Sequence, residues 1–345
     1  MQVSESRVPD LLALADGVVI PGVTAVRVTQ SGNTAADRVQ LTFAFNAASA
    51  GYWDSWMAAS LEVRVAVDSN WSSIFLGVVD LIEFDVVGGT VEIEGRDLTA
   101  LLIDLVVEES YPNLTASDIA QKLATQVGLT PAVTATTGLV GRYWGSDWSR
   151  LALGNYGKAR SGWDLLVWLA AQESFDVYVT GNRLYFGLPS ANSASATVIY
   201  PSDCITLKLE RSLRLAGNIE ITVRSWNSRT KTGCSPTASV SGSGSNLWRK
   251  IFVRPNLQIA DAEQFAMSEA VVLSQHERVV TACLPGELSI GPRNLLTIFG
   301  SGIDFDQTYV VDEVERVISA EKGFVEYVRA RAASPGRNVS FVGSS

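Results

Sequence analysis

The sequence has 345 residues, which is long for one hydrophobic core and favours about two to four domains. Hydrophobic residues make up 47% and charged residues 18%, a composition that indicates a folded globular protein and excludes a disordered one. The net charge of −9 argues against binding nucleic acid by neutralising phosphates, so we expect no sequence-specific nucleic-acid partner.

The N-terminal part of the chain has the pattern of antiparallel strands. Apolar and polar residues alternate in several runs, and Ser31-Gly32-Asn33 supplies turn residues between the first two of them. We predict a small barrel or sandwich here. The runs are Val23–Thr29, Val39–Phe43, Leu61–Val67, Ser73–Val79 and Val91–Glu94.

Helical periodicity replaces this pattern after Asp97. One helix is predicted at 115–128, where Thr115 and Asp118 have the spacing of a capping box. Another is predicted at 161–173, and a hairpin follows that turns at Gly181-Asn182. These elements predict a helix–helix–hairpin unit.

Strand patterns return at Ile205 and continue to Arg331, interrupted by a helix predicted at 260–275. Residues 233–246 are rich in Ser, Gly and Thr and lack periodicity, so we predict a flexible loop inside a domain. The tail from Ser334 is predicted to be loosely held.

A short motif occurs near both ends of the chain. Val79-Asp80-Leu81-Ile82-Glu83 returns as Val311-Asp312-Glu313-Val314-Glu315, and each copy continues through an extended run, a glycine-bearing turn and an alternating strand. The match is explained either by an internal duplication or by chance, because it is short and carries two substitutions.

Duplication predicts an α+β protein that is mainly β, with two similar antiparallel β-domains, each a small barrel or sandwich, and the helix–helix–hairpin domain between them. The predicted boundaries are 1–104 for the first β-domain, 105–200 for the middle domain, 201–333 for the second β-domain and 334–345 for the tail.

The cysteines and the N-terminus also restrict the class of protein. The cysteines are odd in number and lack a C-x-x-C spacing, which predicts reduced thiols and no zinc site. Asp16, Gly17 and Pro21 interrupt the first apolar residues, and no apolar run approaches roughly 20 residues, so we expect no signal peptide and no membrane anchor. The cysteines are Cys204, Cys234 and Cys283.

Two groups of acidic residues are the densest candidates for chemistry. Alternate residues of a strand share a face, so Glu92 and Glu94 are expected to stand together, and two carboxylates at a suitable distance hydrolyse glycosidic bonds. A half-exposed strand shows the same alternation without any catalysis. His276, the single histidine, follows a helix and is predicted to be a solvated helix-end residue. The two groups are Asp80, Glu83 and Asp85, and Glu92, Glu94 and Asp97.

Several tryptophans lie in irregular segments, where they would line a sugar site or bury at a subunit contact. They are Trp53, Trp56, Trp144 and Trp148.

Segments across the chain resemble, in order and spacing, the baseplate hub proteins of phage tails, known as the late control D family, of which the hub of phage Mu is a member. In that family a strand ends in Gly-Arg-Asp and a short helix begins, as in residues 91–102, Val-Glu-Ile-Glu-Gly-Arg-Asp-Leu-Thr-Ala-Leu-Leu. The likeness covers roughly residues 20 to 331, and the length of the segment 233–246 departs from it. The other resembling segments are 113–124, 163–170 with the turn at Gly181-Asn182, and 309–314 with Gly323-Phe324.

The resemblance implies a structural virion protein without catalytic, metal or cofactor residues. It implies a homotrimer in which each chain contributes two tube-type barrels, so that three chains match the hexameric rings of the tail tube. The implied partners are a tail tube protein hexamer above, a spike trimer below, and other baseplate proteins. The implied location is the virion tail baseplate, after assembly in the host cytoplasm. The same fold occurs in the VgrG spike of type VI secretion.

A hub of this kind encloses part of the DNA channel, and acidic residues in the lumen would repel DNA where lysines would bind it. The side that faces the lumen stays open, because a shift of one residue exchanges the faces of a strand. The candidate lumen residues are Asp80, Glu83, Glu92, Glu94, Asp312, Glu315 and Glu326.

Two other functions stay open at this point. A tail-associated peptidoglycan hydrolase would use the carboxylates of Asp80 or Glu92, and paired carboxylates with perturbed pKa values in a cleft would favour it. A carbohydrate-binding β-protein would use its tryptophans, and a flat exposed aromatic strip would favour it.

Overall fold

The computed structural model describes residues 9–46, 49–54, 56–57, 60–67, 70–107, 111, 113–140, 161–189, 196–227, 231–243, 246–255, 257–334 and 339–342. The prediction of an α+β chain that is mainly β is confirmed. The strands of the first half are β1 Asp10–Ala15, β2 Val18–Val19, β3 Val23–Ser31, β4 Arg38–Ala44, β5 Ser60–Val67, β6 Asn70–Asp85, β7 Thr90–Asp97, β8 Thr130–Val133, β9 Asp176–Thr180 and β10 Arg183–Gly187.

The second half continues the strands and holds the longest helix. Its strands are β11 Thr197–Ile199, β12 Thr206–Arg211, β13 Asn218–Asn227, β14 Thr232–Cys234, β15 Thr237–Val240, β16 Leu247–Val253, β17 Arg278–Pro285, β18 Leu295–Ile298, β19 Thr308–Ser319, β20 Gly323–Ala332 and β21 Val339–Val342. The helices of the described residues are α1 Ala50–Asp54, α2 Thr99–Ile103, α3 Ala116–Gln126, α4 Gly162–Glu173 and α5 Ile259–Gln275, with a 3-10 turn at Pro201–Asp203.

One large sheet takes strands from both ends of the sequence. Its order is β12-β17-β20-β19-β3-β4-β7-β6-β5-β1-β2, with β18 against β19 and β11 against β18. Neighbouring strands are antiparallel except β11 and β18. The two halves join where β19 pairs with β3, from Glu313 opposite Ser31 to Ser319 opposite Ala25. Within the described ranges this sheet is open, with β12 and β2 at its two ends.

Two hydrophobic cores lie on one side of this sheet. The first-half core is built from alternate residues of the strands, for example Val39, Leu41 and Phe43 of β4, all buried. Such period-two burial is what the alternating sequence predicts for a strand with one wet face. The second-half core centres on Tyr309 and on buried residues of β17, β18 and β20. Ile318 of the second half packs into the first-half core, which ties the two halves together.

The middle unit matches the predicted helix–helix–hairpin. The Thr115 hydroxyl accepts from the Asp118 amide at 3.2 Å, and the Asp118 carboxylate accepts from the Thr115 amide at 3.0 Å, so the predicted capping box is present. The Ser161 hydroxyl caps α4 by accepting from the Asp164 amide at 3.1 Å. The β9–β10 hairpin turns at Gly181, and β8, which the sequence did not indicate, pairs parallel with β10. These elements share one core of their own.

A fourth hydrophobic core lies in the second half of the chain, and its strands contradict two of the predictions. Helix α5 packs on a separate small sheet of β13, β14, β15, β16 and β21. The prediction of an irregular loop at 233–246 is wrong for β15, in which Ala238 and Val240 are buried. The loosely held tail is also wrong in part, because β21 pairs with β15. The apolar positions of β15, Ala238 and Val240, are small and stand among Ser and Thr residues, so the alternation is weak. One partner strand, β21, lies about a hundred residues away, and local sequence patterns do not reveal such a pairing.

Candidate functional site

The side of the large sheet opposite its cores carries most of the predicted carboxylates. The strand register shows this. Glu83 and Thr42 both lie opposite Glu92, whereas half-buried Ile82 and buried Ile93 and Leu41 point to the other side of the sheet. We call this side the polar face. Its charged members on β3, β4, β6, β7, β12, β19 and β20 are Arg27, Arg38, Asp80, Glu83, Asp85, Glu92, Glu94, Arg96, Lys208, Glu210, Asp312, Glu313, Glu315, Arg329 and Arg331.

The two copies of the motif form the same device at the same register. The ladder between β6 and β7 shifts at Asp80, and the ladder between β19 and β20 shifts at Asp312, so each aspartate sits in a β-bulge. Each aspartate pairs with an arginine of the neighbouring strand, Asp80 with Arg96 and Asp312 with Arg331.

The positions of the arginines make the match exact in register. Arg96 lies opposite Val78, two residues before Asp80, and Arg331 lies opposite Val310, two residues before Asp312. A chance match of five letters does not predict a shared bulge and a shared ion pair. This geometry therefore favours duplication over chance.

The two aspartate–arginine pairs differ in their surroundings. Arg96 donates to both oxygens of Asp80 at 2.7 Å and also reaches Asp104 at 3.2 Å, and these carboxylates hold its pKa above the ordinary value. The Asp80 side chain is 32% exposed and that of Asp312 is 10% exposed. Burial lowers the pKa of Arg331, whose Nε donates to Gln275 at the end of α5 at 3.2 Å.

Other polar-face carboxylates lie where their strands meet. Glu315 pairs with Arg27 of β3 at 3.1 Å, across the join between the two halves. Glu92 accepts from the side-chain amide of Gln40 at 3.1 Å, and Glu94 is exposed. Glu83, Glu92 and Glu94 are therefore available at the surface of the chain.

Glu326 lies on the opposite side of the sheet from these residues. It is fully buried and accepts from Arg316 Nε at 3.0 Å, where Arg316 also donates to Gln30 and to the carbonyl oxygen of Ile290. Burial raises the pKa of the Glu326 carboxyl, and the Arg316 guanidinium opposes that shift. The structure thus assigns Glu326 to a buried ion pair at the join instead of to a channel surface.

A polar cavity of about 450 Å³ lies where the first half, the middle unit and the loop at 288–294 meet. Two carboxylates line it. Burial raises the pKa of Asp37 to about 6 and that of Asp97 to about 7, although Asp37 accepts from the Ser31 amide at 2.7 Å and Asp97 accepts from Thr99 at 2.9 Å. Nearby Asp37 raises the pKa of Asp97 further. From the sequence, Asp97 was a candidate only as one member of an acidic cluster, and no motif or spacing indicated Asp37.

The aromatic rings at this cavity are already engaged. The Arg293 guanidinium lies 3.7 Å from the centre of the Tyr178 ring, and Tyr185 stacks on that ring at 4.7 Å. The indole N–H of Trp163 donates to the carbonyl oxygen of Thr34 at 2.8 Å. The cavity therefore offers perturbed carboxylates without a free aromatic platform for a sugar ring.

The remaining sequence candidates have structural positions. Trp53 is buried against Phe43 with ring centres 5.2 Å apart, and Trp56 is half-buried beside it. Trp144 and Trp148 lie outside the described residues. His276 is an exposed residue at the C-terminal cap of α5, as predicted.

The described ranges contain neither a metal-binding cluster nor a membrane-spanning helix. No three His, Cys, Asp or Glu side chains there are grouped to hold a metal ion. None of the helices in the described ranges has the length and apolar character to cross a bilayer.

Solved structures with the same fold are phage tail proteins and related secretion components. A tail protein of Neisseria meningitidis MC58 superposes with a TM-score of 0.72 at 12% identity, over 94% of this chain and 97% of the other. The 43 kDa tail protein of prophage MuSo2 from Shewanella oneidensis gives 0.68 at 16% identity, over 94% and 98%. An Escherichia coli component of the type VI secretion system gives 0.54 at 10% identity, over 93% and 77%.

These matches confirm, as a likeness of fold, the resemblance to phage tail hubs and VgrG-related proteins. No family model matches the sequence, and no characterised protein matches it by sequence.

Proposed function

We propose that this chain is a structural protein of a phage tail, a trimeric baseplate hub that joins the hexameric tail tube to a central spike. The observation that carries the proposal is the duplicated hairpin with its shared bulge and ion pair, Asp80 with Arg96 and Asp312 with Arg331. Two equivalent units in one chain supply six units from three chains, which matches six tube subunits. The likeness of fold to tail proteins supports the same assignment.

The finer architecture belongs to this proposal. Residues 1–104 and 201–333 would each complete a tube-type barrel in the assembled ring, with 105–200 between them and 334–345 as a tail. The partners would be a second and third copy, a tube hexamer, a spike trimer and other baseplate proteins. The place of action would be the virion tail, after assembly in the host cytoplasm.

The polar face is the proposed wall of the DNA channel. On the strands named above it carries nine carboxylates, five arginines and one lysine, so its formal charge is −9 + 6 = −3 per chain. A mildly acidic wall repels DNA phosphates, whereas a basic wall would release counterions and hold the DNA. Glu83, Glu92 and Glu94 are the proposed contributors, since their side chains reach the surface.

The first test is the mass of the particle. Light scattering of the purified protein is expected to give a mass near three chains, and with its tube partner bound the mass of three chains plus that of the tube subunits. A chain that stays monomeric at high concentration with that partner present would overturn the hub.

The second test uses Glu92→Gln together with Glu94→Gln. We expect an unchanged particle mass and slower or incomplete DNA ejection. Unchanged ejection with an intact trimer would remove the lumen role of these two residues and leave the structural role.

A hydrolase is the second candidate, and Asp37 and Asp97 are the observation that favours it. Two carboxylates with raised pKa values in one cavity are a pattern of acid–base sites. The test is release of soluble fragments from purified peptidoglycan. Activity in the wild type that disappears in Asp97→Asn but survives in Glu92→Gln would favour the enzyme, and no release by the wild type would favour the structural protein.

A further inference from the structure

We propose that copies of this chain join edge to edge. The outer half of β6 with the residues that follow it, Leu81–Val87, would add as an antiparallel strand to β12 of the next copy. The inference deepens the proposed trimer and rests on it for the number of copies. It follows from comparing the two duplicated units strand by strand.

The two units correspond beyond the hairpins. Strand β7 pairs with β4, and β4 pairs with β3; in the second unit β20 pairs with β17, and β17 pairs with β12. Register agrees at each step, since Ile93 lies opposite Leu41 and Leu41 opposite Val26, while Val328 lies opposite Ala282 and Ala282 opposite Leu207. Strand β12 is therefore the counterpart of β3.

The long outgoing strands of the hairpins also correspond. The first half of β6 pairs with β5, Val78 opposite Ser60, and the first half of β19 pairs with β18, Val310 opposite Leu295. The outer half of β19 then pairs with β3. The outer half of β6 has β7 on one side, and among the described strands it has none on the other.

Two edges among the described strands are therefore unpaired: the outer half of β6 and the free side of β12. Their counterparts, the outer half of β19 and β3, pair with each other. Within the chain, the second hairpin lies against β3. The first hairpin lacks such a neighbour, and β12, the counterpart of β3, is the last strand of the described sheet. A second copy supplies each missing edge, and unpaired edges of this kind are sites of strand addition.

Exposure at the hairpin ends agrees with this assignment. Ile318 of the second hairpin is 8% exposed because it packs into the core next to β3. Its counterpart Val86 is 72% exposed, and the adjacent Val87 is fully exposed. Apolar residues at the end of a free strand edge indicate an interface that forms on assembly.

The register of the interface follows from the pairing of β19 with β3. Transferring that register places Phe84 opposite Leu209, Val86 opposite Leu207 and Asp85 opposite Lys208. The Glu315–Arg27 ion pair, at 3.1 Å, becomes a pair between Glu83 and Lys208 of the next copy. Apolar partners thus meet on one face. On the other face Lys208 meets two carboxylates, Asp85 directly opposite and Glu83 on the diagonal, while Glu83 itself falls opposite Glu210. The apolar pairs and the Asp85–Lys208 pair are therefore the contacts that would fix the register.

The two edges are different surfaces, so the contact is heterologous and closes into a ring when the rotation per copy divides a full turn. A closed ring leaves neither edge exposed. Closure of the ring would therefore stop further strand addition.

The test uses cysteines at Asp85 and Lys208. Residues directly opposite in an antiparallel pair have Cα atoms roughly 4.5–5.5 Å apart, within the range of a disulfide. Under mild oxidation we expect Asp85→Cys mixed with Lys208→Cys to give a covalent dimer. The double variant is expected to give covalently closed rings, and neither single variant alone should cross-link.

A matched control moves one cysteine by a single position. Leu209→Cys with Asp85→Cys points the thiols to opposite faces and is expected to cross-link at least tenfold more slowly. Charge exchange at the directly opposite pair gives a second readout: Asp85→Lys is expected to weaken assembly at least about twofold, and Lys208→Asp in the same chain to restore it.

The outcomes separate the two proposals. A particle of three chains without the Asp85–Lys208 cross-link, or with the control pair linking equally well, would overturn the edge pairing and leave the trimer intact. A chain that is monomeric in the presence of its tube partner would overturn the proposed function. Cross-linking into a ring of another size would keep the edge pairing and overturn the trimer.

Discussion

Replacing Glu326 with valine is expected to destabilise the protein by about 3–5 kcal/mol, the usual cost of leaving one member of a buried ion pair without its partner. The Arg316 guanidinium would keep its charge in a site with almost no solvent contact. At the observed separation of 3.0 Å, the lost attraction is about 5–6 kcal/mol for an effective dielectric constant of about 20. Part of that attraction already offsets the cost of burying both charges, so the measured loss is expected to be smaller.

Glu315 offers a matched control on the neighbouring strand. It pairs with Arg27 at 3.1 Å, but that arginine is half-exposed, so Glu315→Val is expected to cost less than about 1 kcal/mol. Adding Arg316→Met to Glu326→Val removes the stranded charge and is expected to recover at least about 2 kcal/mol. Urea denaturation followed by tryptophan fluorescence measures all of these free energies. A loss below about 1 kcal/mol for Glu326→Val, equal to that of the control, would refute the reasoning.

Three further predictions follow from the site. The pKa values of Asp37 and Asp97 are raised, so the folded state binds more protons than the unfolded state. The stability that these two carboxyls contribute is complete below about pH 4 and is lost as the pH rises through about 6 and 7. Thermal melts from pH 5 to 8 should therefore show falling stability, and Asp97→Asn should flatten the upper part of that slope. Asp312→Ala should cost about 1–3 kcal/mol and Asp80→Ala less, because Asp312 is the more buried partner; equal urea midpoints would contradict this. Amide exchange at 237–240 should be slow, since these residues form a strand between two neighbours, and rapid exchange there would restore the loop prediction.

Local chemistry was enough to predict the three longest helices of the described residues and the β9–β10 hairpin. The Thr115–Asp118 cap, the Ser161 cap and the Gly181-Asn182 turn are each decided by residues within a few positions, and all are present. The motif at Asp80 and Asp312 also led to the right strands. The structure formed at each copy is a β-bulge whose aspartate pairs with an arginine opposite the residue two positions earlier. That arrangement depends on the partner strand and was not visible in the sequence.

Long-range pairing accounts for what the sequence did not predict. In the sequence, Glu326 stands between Val325 and Tyr327 like the polar residue of any half-exposed strand. Its side chain is buried because β19 pairs with β3, which covers that side of the sheet. Strand β15 is hidden for a similar reason, since one of its two partners, β21, comes from a distant part of the chain. The Asp37–Asp97 cavity forms where three units meet, and no single unit contains enough of it to be recognised.

The differences between the two hairpins are as informative as their likeness. Phe84 opposite Val91 in the first unit corresponds to Arg316 opposite Glu326 in the second. The second pair lies at a join that forms once, within a single folding chain, where a buried ion pair with fixed hydrogen-bond partners specifies one register. The first lies at an edge that must stay exposed until another copy arrives, and an uncompensated charge there would have to be desolvated on every assembly. We interpret the apolar pair as the form of the hairpin suited to assembly and the ionic pair as the form suited to folding. Phe84→Arg should therefore slow ring formation while changing the free energy of unfolding of the monomer by less than about 1 kcal/mol. An effect on monomer stability alone would contradict that interpretation.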